Sequence, residues 1–137
     1  MMKQFLKLSL PLFFVMFFSC TKKAPKTLFE LMDNTGIDFD NKVGDGSIEN
    51  SFLFRNFYNG GGVAIGDINN DGLPDVMLTS NMGENNLYLN KGNFKFEDIS
   101  VKAGLKQDSM WSTGVTFVDI NGDFFVEIYF YNSYNVN

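Results

Sequence analysis

The sequence "DINNDGLPD" at 67–75 crowds oxygen-bearing side chains into nine positions. Asp67, Asn69 and Asp71 stand at alternate positions, so a chain that curls around one point can aim their side-chain oxygens inward. A later backbone carbonyl and a final carboxylate can complete the shell. Calcium accepts six to eight such oxygens in an adaptable geometry, and clustered carboxylates repel one another unless a cation is present. The loop is therefore predicted to bind Ca²⁺ through Asp67, Asn69, Asp71, the carbonyl of Leu73, and Asp75.

Other interpretations of this loop are weaker. An EF-hand begins in the same way, but it requires a glutamate at the twelfth position, where Leu78 stands, and its flanks are helices. Magnesium prefers a rigid octahedron that retains several waters. A metal-free turn rich in Asp and Asn remains as an alternative, because these side chains also bind their own backbone.

Short strands must position the loop. The runs "VAIGD", "DVMLTS", "NLYLN" and "FKFEDI" are apolar or alternating, and turn-forming stretches separate them. They predict an antiparallel meander of four strands. A shift of 52 residues then aligns six identical residues among the fourteen positions 62–75 and brings "DINGDFFVE" at 119–127 onto the first loop. A period near 50 with about four strands per unit is typical of β-propeller blades.

These motifs resemble a known family. The stretches "FRNFYNGGGVAIGDINNDGLPD", "NLYLNKGNFKFED" and "GVTFVDINGD" are similar to FG-GAP or VCBS repeats of the cartilage-acidic-protein (ASPIC/UnbV-associated) type in surface lipoproteins of Bacteroidetes-like bacteria. The resemblance covers about 28–131. It implies an all-β fold of antiparallel four-stranded propeller blades, calcium in the loops, and a role in binding or adhesion. In the second loop it implies the ligands Asp119, Asn121, Asp123, the carbonyl of Phe125, and Glu127.

The second loop departs from the family pattern at two positions. Phe124 occupies the glycine position, where a positive φ would cost a bulky residue on the order of 1–3 kcal/mol. Glu127 replaces the last aspartate and is one methylene longer. We therefore expect this site to be weakened or empty.

The N-terminus has the features of an export signal. Two lysines precede an apolar run of eleven residues, which is the length of a signal-peptide core and short for a membrane span. The run ends in "FFSC", which resembles a bacterial lipobox. This predicts cleavage before Cys20, lipidation of that cysteine and anchoring at the outer membrane or cell surface; an ordinary free thiol or an uncleaved anchor is the alternative.

Composition excludes several classes of function. The 137 residues contain no histidine and one cysteine, which rules out Ser/His and Cys/His nucleophiles within the chain. The net charge of -5 argues against a nucleic-acid partner. Trp111 is expected to pack in the core or at an interface rather than to form a sugar-binding platform. Glu97 and Asp98 should face opposite sides of a strand, so they are not expected to act as a catalytic pair.

The resulting domain prediction comprises a signal peptide, a tether, an irregular or strand-containing segment, a first blade and the start of a second blade. Their bounds are 1–19, 20–27, 28–61, 62–110 and 111–137. Within the third segment we expect a helical turn at 29–32, a strand at 37–39 and another strand in "SFLFRNFYN". This last strand should end in a glycine loop where backbones approach closely.

About one and a half blades cannot close a ring, so uncovered edges could support self-association. The sequence favours a calcium-binding surface protein with an unidentified protein or glycan ligand and no catalysis. Two alternatives stay open. The chain could be the leading fragment of an enzyme that processes surface polysaccharide, or a truncated product without independent function.

Overall fold

The computed structural model describes residues 27–47, 50–53, 55–105 and 111–134. The chain divides into two units, Met1–Leu31 and Met32–Asn137, and the strands of the described residues lie in the second. The predicted signal peptide and Cys20 lie outside the described residues. Within the described ranges, no helix has the length and apolar character needed to cross a membrane.

Within the described residues, six strands form two antiparallel sheets. The first sheet contains β1 (Val63–Gly66), β2 (Asp75–Leu78), β3 (Asn86–Asn90) and β4 (Phe96–Asp98), in the order of the chain. The second sheet pairs β5 (Trp111–Val118) with β6 (Glu127–Tyr134). The predicted four-stranded meander is confirmed, since each apolar run forms a strand and each polar stretch forms a turn.

The two sheets repeat the same strand register. In the first hairpin Ala64 pairs with Met77, and in the second Thr116 pairs with Tyr129 at the positions 52 residues later. Because neighbouring strand residues point to opposite faces, each sheet has two distinct faces that can be compared between the repeats.

The hydrophobic core lies between the sheets. Its centre is Ala64, Met77 and Leu87, which are 7%, 0% and 2% exposed. Partly buried side chains of β5 and β6 pack against this cluster from the second sheet: Val115, Phe117, Ile128 and Phe130. This face-to-face arrangement of antiparallel sheets is consistent with neighbouring propeller blades, so the all-β prediction is confirmed.

Close backbone contact explains two of the glycines before β1. A Cβ at Gly61 would lie 1.7 Å from the carbonyl oxygen of Thr79, and a Cβ at Gly62 would lie 2.9 Å from the Cα of Gly114. No larger residue fits at these contacts without a shift of the backbone. The expectation that backbones approach closely at this glycine loop is confirmed.

Buried polar side chains join the two sheets near the start of β5. The Asn85 side chain accepts a hydrogen bond from the Ser80 amide at 2.8 Å and donates one to the Ser112 hydroxyl at 3.0 Å. Asn41 accepts from both the Ser80 hydroxyl and the Asn81 amide, at 3.0 and 2.9 Å. Because buried polar groups are costly unless paired, this network fixes the position of the segment around Asn41 against both sheets.

Three predictions for the segment before β1 are wrong. Residues 29–32 form no helical turn: Phe29 and Leu31 are about nine-tenths exposed, and a single turn without packed contacts is unstable. Residues 37–39 form no strand. The described residues within 51–58 form turns rather than a strand, because the Asn50 side chain accepts the amides of Phe52 and Leu53.

Trp111 belongs to the buried part of the molecule. It is 5% exposed, and its ring lies 5.1 Å from that of Phe57, which is 1% exposed. The prediction that this tryptophan packs in the core is therefore confirmed.

Candidate calcium loops

The first candidate loop connects β1 to β2 and is held by hydrogen bonds to its own backbone. The Asp67 carboxylate accepts the amides of Asp71 and Gly72 at 3.1 and 2.7 Å. Asn69 Oδ1 also accepts the Asp71 amide at 3.1 Å, and Asp71 Oδ1 accepts the Leu73 amide at 2.8 Å. These contacts curl the chain, as Asp and Asn side chains commonly do in turns.

Asp75 attaches the loop to the sheet. Its side chain is fully buried, and its two oxygens accept the amides of Ile68 at 3.0 Å and Asn90 at 2.7 Å. The Asn90 side chain in turn donates to the carbonyl of Pro74 at 2.8 Å. Asp75 therefore closes the loop on itself and fixes it to β3.

The second loop, between β5 and β6, repeats this hydrogen-bond pattern except at one amide, since Asp119 accepts the amide three residues on where Asp67 accepts the one four residues on. Asp119 accepts the amides of Gly122 and Phe124 at 2.7 and 2.9 Å. Asn121 accepts the amide of Asp123, and Asp123 accepts that of Phe125, each at 2.9 Å. The two nine-residue stretches are thus structural as well as sequence repeats.

The last acidic residue distinguishes the loops. Glu127 accepts the Ile120 amide at 2.9 Å, as Asp75 accepts that of Ile68. Its other oxygen accepts the Asn121 side chain of the same loop at 3.1 Å, whereas Asp75 binds a neighbouring strand. Glu127 therefore keeps the hydrogen bond that closes the loop. Its second hydrogen bond stays within the loop, where that of Asp75 attaches the loop to β3.

Both loops need a positive φ at their fourth and sixth positions. In the first loop these are Asn70 (58°) and Gly72 (83°); in the second they are Gly122 (77°) and Phe124 (69°). The glycine has moved from the sixth position to the fourth. Phe124 therefore has the strained backbone expected from the sequence, and its side chain is 84% exposed.

The loops also contact each other. The Asn70 side chain donates a hydrogen bond to the carbonyl of Phe124 at 3.1 Å. Sequence reasoning did not single out Asn70. An asparagine in a turn-forming stretch is a usable signal, because asparagine tolerates the αL conformation that Asn70 adopts. The contact joins the two turns at the residues with positive φ.

The oxygen atoms of the two loops are ligands of the type that hard cations prefer. In this structure the loop carboxylates accept hydrogen bonds from backbone amides instead. No three acidic, cysteine or histidine side chains in the described part of the chain converge on a point where they could hold a metal. The loop carboxylates form no ion pair with any described Lys or Arg. Each loop therefore carries negative charge that no described Lys or Arg balances, but its carboxylates do not converge in this arrangement.

Glu97 and Asp98 on β4 make separate contacts. Glu97 binds Lys102 at 2.7 Å and Lys91 at 3.4 Å, and the hydrogen bond and charge of Lys102 lower its pKa most. Asp98 instead accepts the Ser100 hydroxyl and, at 2.9 Å, the Asn86 side chain. The two carboxylates are not arranged around a shared substrate position.

A cleft of about 380 Å³ adjoins the first loop. One side is formed by the end of the loop and the other by the turn between β3 and β4. Its lining residues are Leu73, Pro74, Asn90, Gly92, Asn93 and Phe94. This cleft could not be predicted from the sequence, because its two sides lie about twenty residues apart and are joined by the hydrogen bond from the Asn90 side chain to the Pro74 carbonyl.

Comparisons with known proteins agree with this architecture. Residues 67–130, from the first loop through most of the second hairpin, match the FG-GAP-like repeat family. The chain is also similar to cartilage acidic protein 1 of Xenopus tropicalis, with 36% identity over 81 residues. That alignment covers 58% of this chain and 12% of the length of the relative. No solved structure gives a significant match.

The resemblance to FG-GAP repeats and to cartilage acidic protein inferred from the sequence is confirmed by these matches. The matched range includes both nine-residue loops and strands β2 to β5, together with the first part of β6. The β-propeller type of domain is therefore supported by sequence similarity and by the stacked antiparallel sheets.

Proposed function

We propose that this protein is a calcium-stabilised β-propeller repeat protein that is anchored outside the cytoplasm by a lipid and binds a protein or glycan, with no catalysis of its own. The observation that carries the proposal is the nine-residue loop, which occurs twice with nearly the same hydrogen bonds. Its oxygens come from the same loop positions in both repeats.

The first loop is the stronger candidate for Ca²⁺. Asp67, Asn69, Asp71 and Asp75 would supply side-chain oxygens, and Leu73 its carbonyl. When bound, the ion would neutralise the three carboxylates and stabilise the turn between β1 and β2. Because Gly72 has the positive φ at the sixth position, the loop adopts this conformation without side-chain strain.

The second loop is proposed as a weaker site. Asp119, Asn121, Asp123, Glu127 and the carbonyl of Phe125 would supply its oxygens. The positive φ of Phe124 adds strain to the folded loop, so part of the binding energy would be spent in holding that conformation.

Calcium titration calorimetry of the full chain, stripped with EDTA and kept in detergent, tests the proposal. We expect binding with a dissociation constant of about 0.1–1 mM, which is usual for extracellular modules. Asp71→Ala should weaken the stronger site at least about tenfold. Asp40→Ala is the control, since Asp40 is an exposed acid outside both loops and pairs with Lys42. An unchanged titration for Asp71→Ala would contradict the ligand assignment.

The lipid anchor rests on the sequence "FFSC" before residue 21. Mass spectrometry of protein from the membrane fraction should find Cys20 at the N-terminus with a lipid modification that carries two or more acyl chains, because a single chain gives only marginal anchoring. An N-terminus elsewhere, or an unmodified thiol, would contradict the anchor and leave the calcium proposal intact.

A further inference from the structure

Two faces of the sheets form the internal contact. The docking face is the side of β5 and β6 that carries Val115, Phe117, Ile128 and Phe130. The receiving face is the side of the first sheet that carries Ala64, Met77 and Leu87. Their contact buries the receiving side chains to less than a tenth exposed.

The first sheet has its own copy of the docking face. A shift of 52 residues places Val63 on Val115 and Ile65 on Phe117. The same shift places Val76 on Ile128 and Leu78 on Phe130. All four positions are apolar in both repeats, and their cross-strand pairs are the same: Val63 with Leu78, Ile65 with Val76, Val115 with Phe130 and Phe117 with Ile128.

This second docking face is open along β1, while Val76 and Leu78 on β2 are half-buried. Val63 is 60% exposed and Ile65 is 68% exposed, although their equivalents in β5 pack in the core. Two β-branched side chains side by side on a strand favour a packed surface. This face therefore has the strand register and the residue types with which the docking face of β5 and β6 packs on the first sheet.

The second hairpin likewise has a copy of the receiving face. Thr116 and Tyr129 correspond to Ala64 and Met77 and form the same cross-strand pair. Val118 and Tyr131 extend this side, and all four are exposed. Tyrosine and valine give the face apolar area, while threonine makes it more polar than the buried receiving face of the first sheet.

We propose that the docking face of one copy, centred on Val63 and Ile65, packs on the receiving face of a second copy, centred on Thr116 and Tyr129. The contact repeats between chains the packing that the two sheets make within one chain. It is heterologous, so each copy can contribute one face of each kind and chains can add head to tail. This inference goes beyond the proposed function and does not depend on calcium.

Photo-cross-linking in cells that express the full chain tests the contact directly. A photo-reactive benzoylphenylalanine at position 65 should give a dimeric adduct whose second peptide lies within 114–131. The same group at position 101 is the matched control, because Val101 is also 68% exposed but lies outside both faces. We expect little or no dimer from position 101.

A second substitution separates the proposed contact from chance proximity. With the photo-reactive group at position 65, Tyr129→Asp should reduce the dimeric adduct at least about tenfold, because it places an unpaired charge in an apolar contact. Val101→Asp should leave the yield unchanged. Both side chains are exposed, so circular dichroism should show that both variants keep their β structure.

Four outcomes would overturn the inference. They are an absence of dimer from position 65, an adduct that joins position 65 to position 65, an adduct with a different protein, and a dimer that Tyr129→Asp does not reduce. The second would indicate an isologous interface, and the third would indicate that another partner covers the docking face.

Discussion

Replacing Asp75 separates its role in folding from its proposed role in calcium binding. Its two oxygens accept the amides of Ile68 and Asn90, and the side chain is fully buried. Asp75→Ala leaves both donors without an acceptor, and each buried unsatisfied group costs about 1–3 kcal/mol. We therefore expect the free energy of unfolding to fall by about 2–6 kcal/mol, even with no calcium present.

Asp75→Asn should cost about half as much, roughly 1–3 kcal/mol, because the amide keeps one acceptor oxygen and turns its NH₂ toward the other donor. Urea unfolding in excess EDTA measures both values without a contribution from metal. Asp71→Ala is the control. This side chain accepts the Leu73 amide and the Asn69 side chain, but it is exposed and water can replace both bonds, so its loss should cost less than about 1 kcal/mol in EDTA. A loss below about 1 kcal/mol for Asp75→Ala would refute the structural role of these hydrogen bonds.

Three further substitutions test the backbone and charge arguments. Gly61→Ala should destabilise the fold by about 3 kcal/mol or more in urea unfolding, because its Cβ would overlap the carbonyl of Thr79 at 1.7 Å. Phe124→Gly should stabilise it by about 1 kcal/mol in the same assay, since glycine adopts the φ of 69° without strain. Lys102→Met should make stability less sensitive to acid below pH 4.5, the ordinary pKa of Glu97, in a pH series of thermal unfolding. Because Lys102 lowers the pKa of folded Glu97, the stabilisation it provides is present above pH 4.5 and is lost as the pH falls through the folded pKa.

Each of these substitutions has a matched control. Gly44→Ala should be nearly neutral, because no atom lies within 4 Å of the added Cβ. Phe125→Gly should not stabilise, since Phe125 has no positive φ to relieve. Lys95→Met removes an ammonium that binds the carbonyl of Asn34, so the dependence on pH should be retained. Equal effects in a variant and its control would contradict the corresponding argument.

The sequence predicts the strands of the first sheet well because local and tertiary preferences agree there. In β2, for example, Asp75 and Met77 are buried while Val76 and Leu78 are half-buried on the other face, as alternation requires. The turn at Gly72 and the strain at Phe124 were also predictable, since only the geometry of the repeated loop was needed.

The segment before β1 could not be predicted in the same way. In "SFLFRNFYN" the aromatic residues favour a strand, but Asn50 binds the amides of Phe52 and Leu53 and forms a turn instead. Phe57 is buried there, while Phe52 is 97% exposed. The contacts of Asn41 with Ser80 and Asn81 join positions about forty residues apart, and a single sequence gives no local sign of them.

The candidate site was predictable as a set of residues but not as a set of contacts. The spacing identifies Asp67 and Asp71, and the repeat identifies their equivalents in the second loop. The spacing does not reveal that Asp75 is buried or that the Asn90 amide on β3 binds it, because both features arise from the pairing of β2 with β3. The cross-loop bond from Asn70 to Phe124 likewise depends on the packing of the two sheets.

Thermal unfolding of the full chain in detergent, first with excess EDTA and then with millimolar calcium, tests the central claim most directly. β-sheet circular dichroism follows the transition. We predict a cooperative transition whose midpoint rises with calcium, because an ion that binds only the folded loops stabilises them by mass action. The rise should be smaller in Asp71→Ala. A cooperative transition with the same midpoint in EDTA and in calcium would contradict the account.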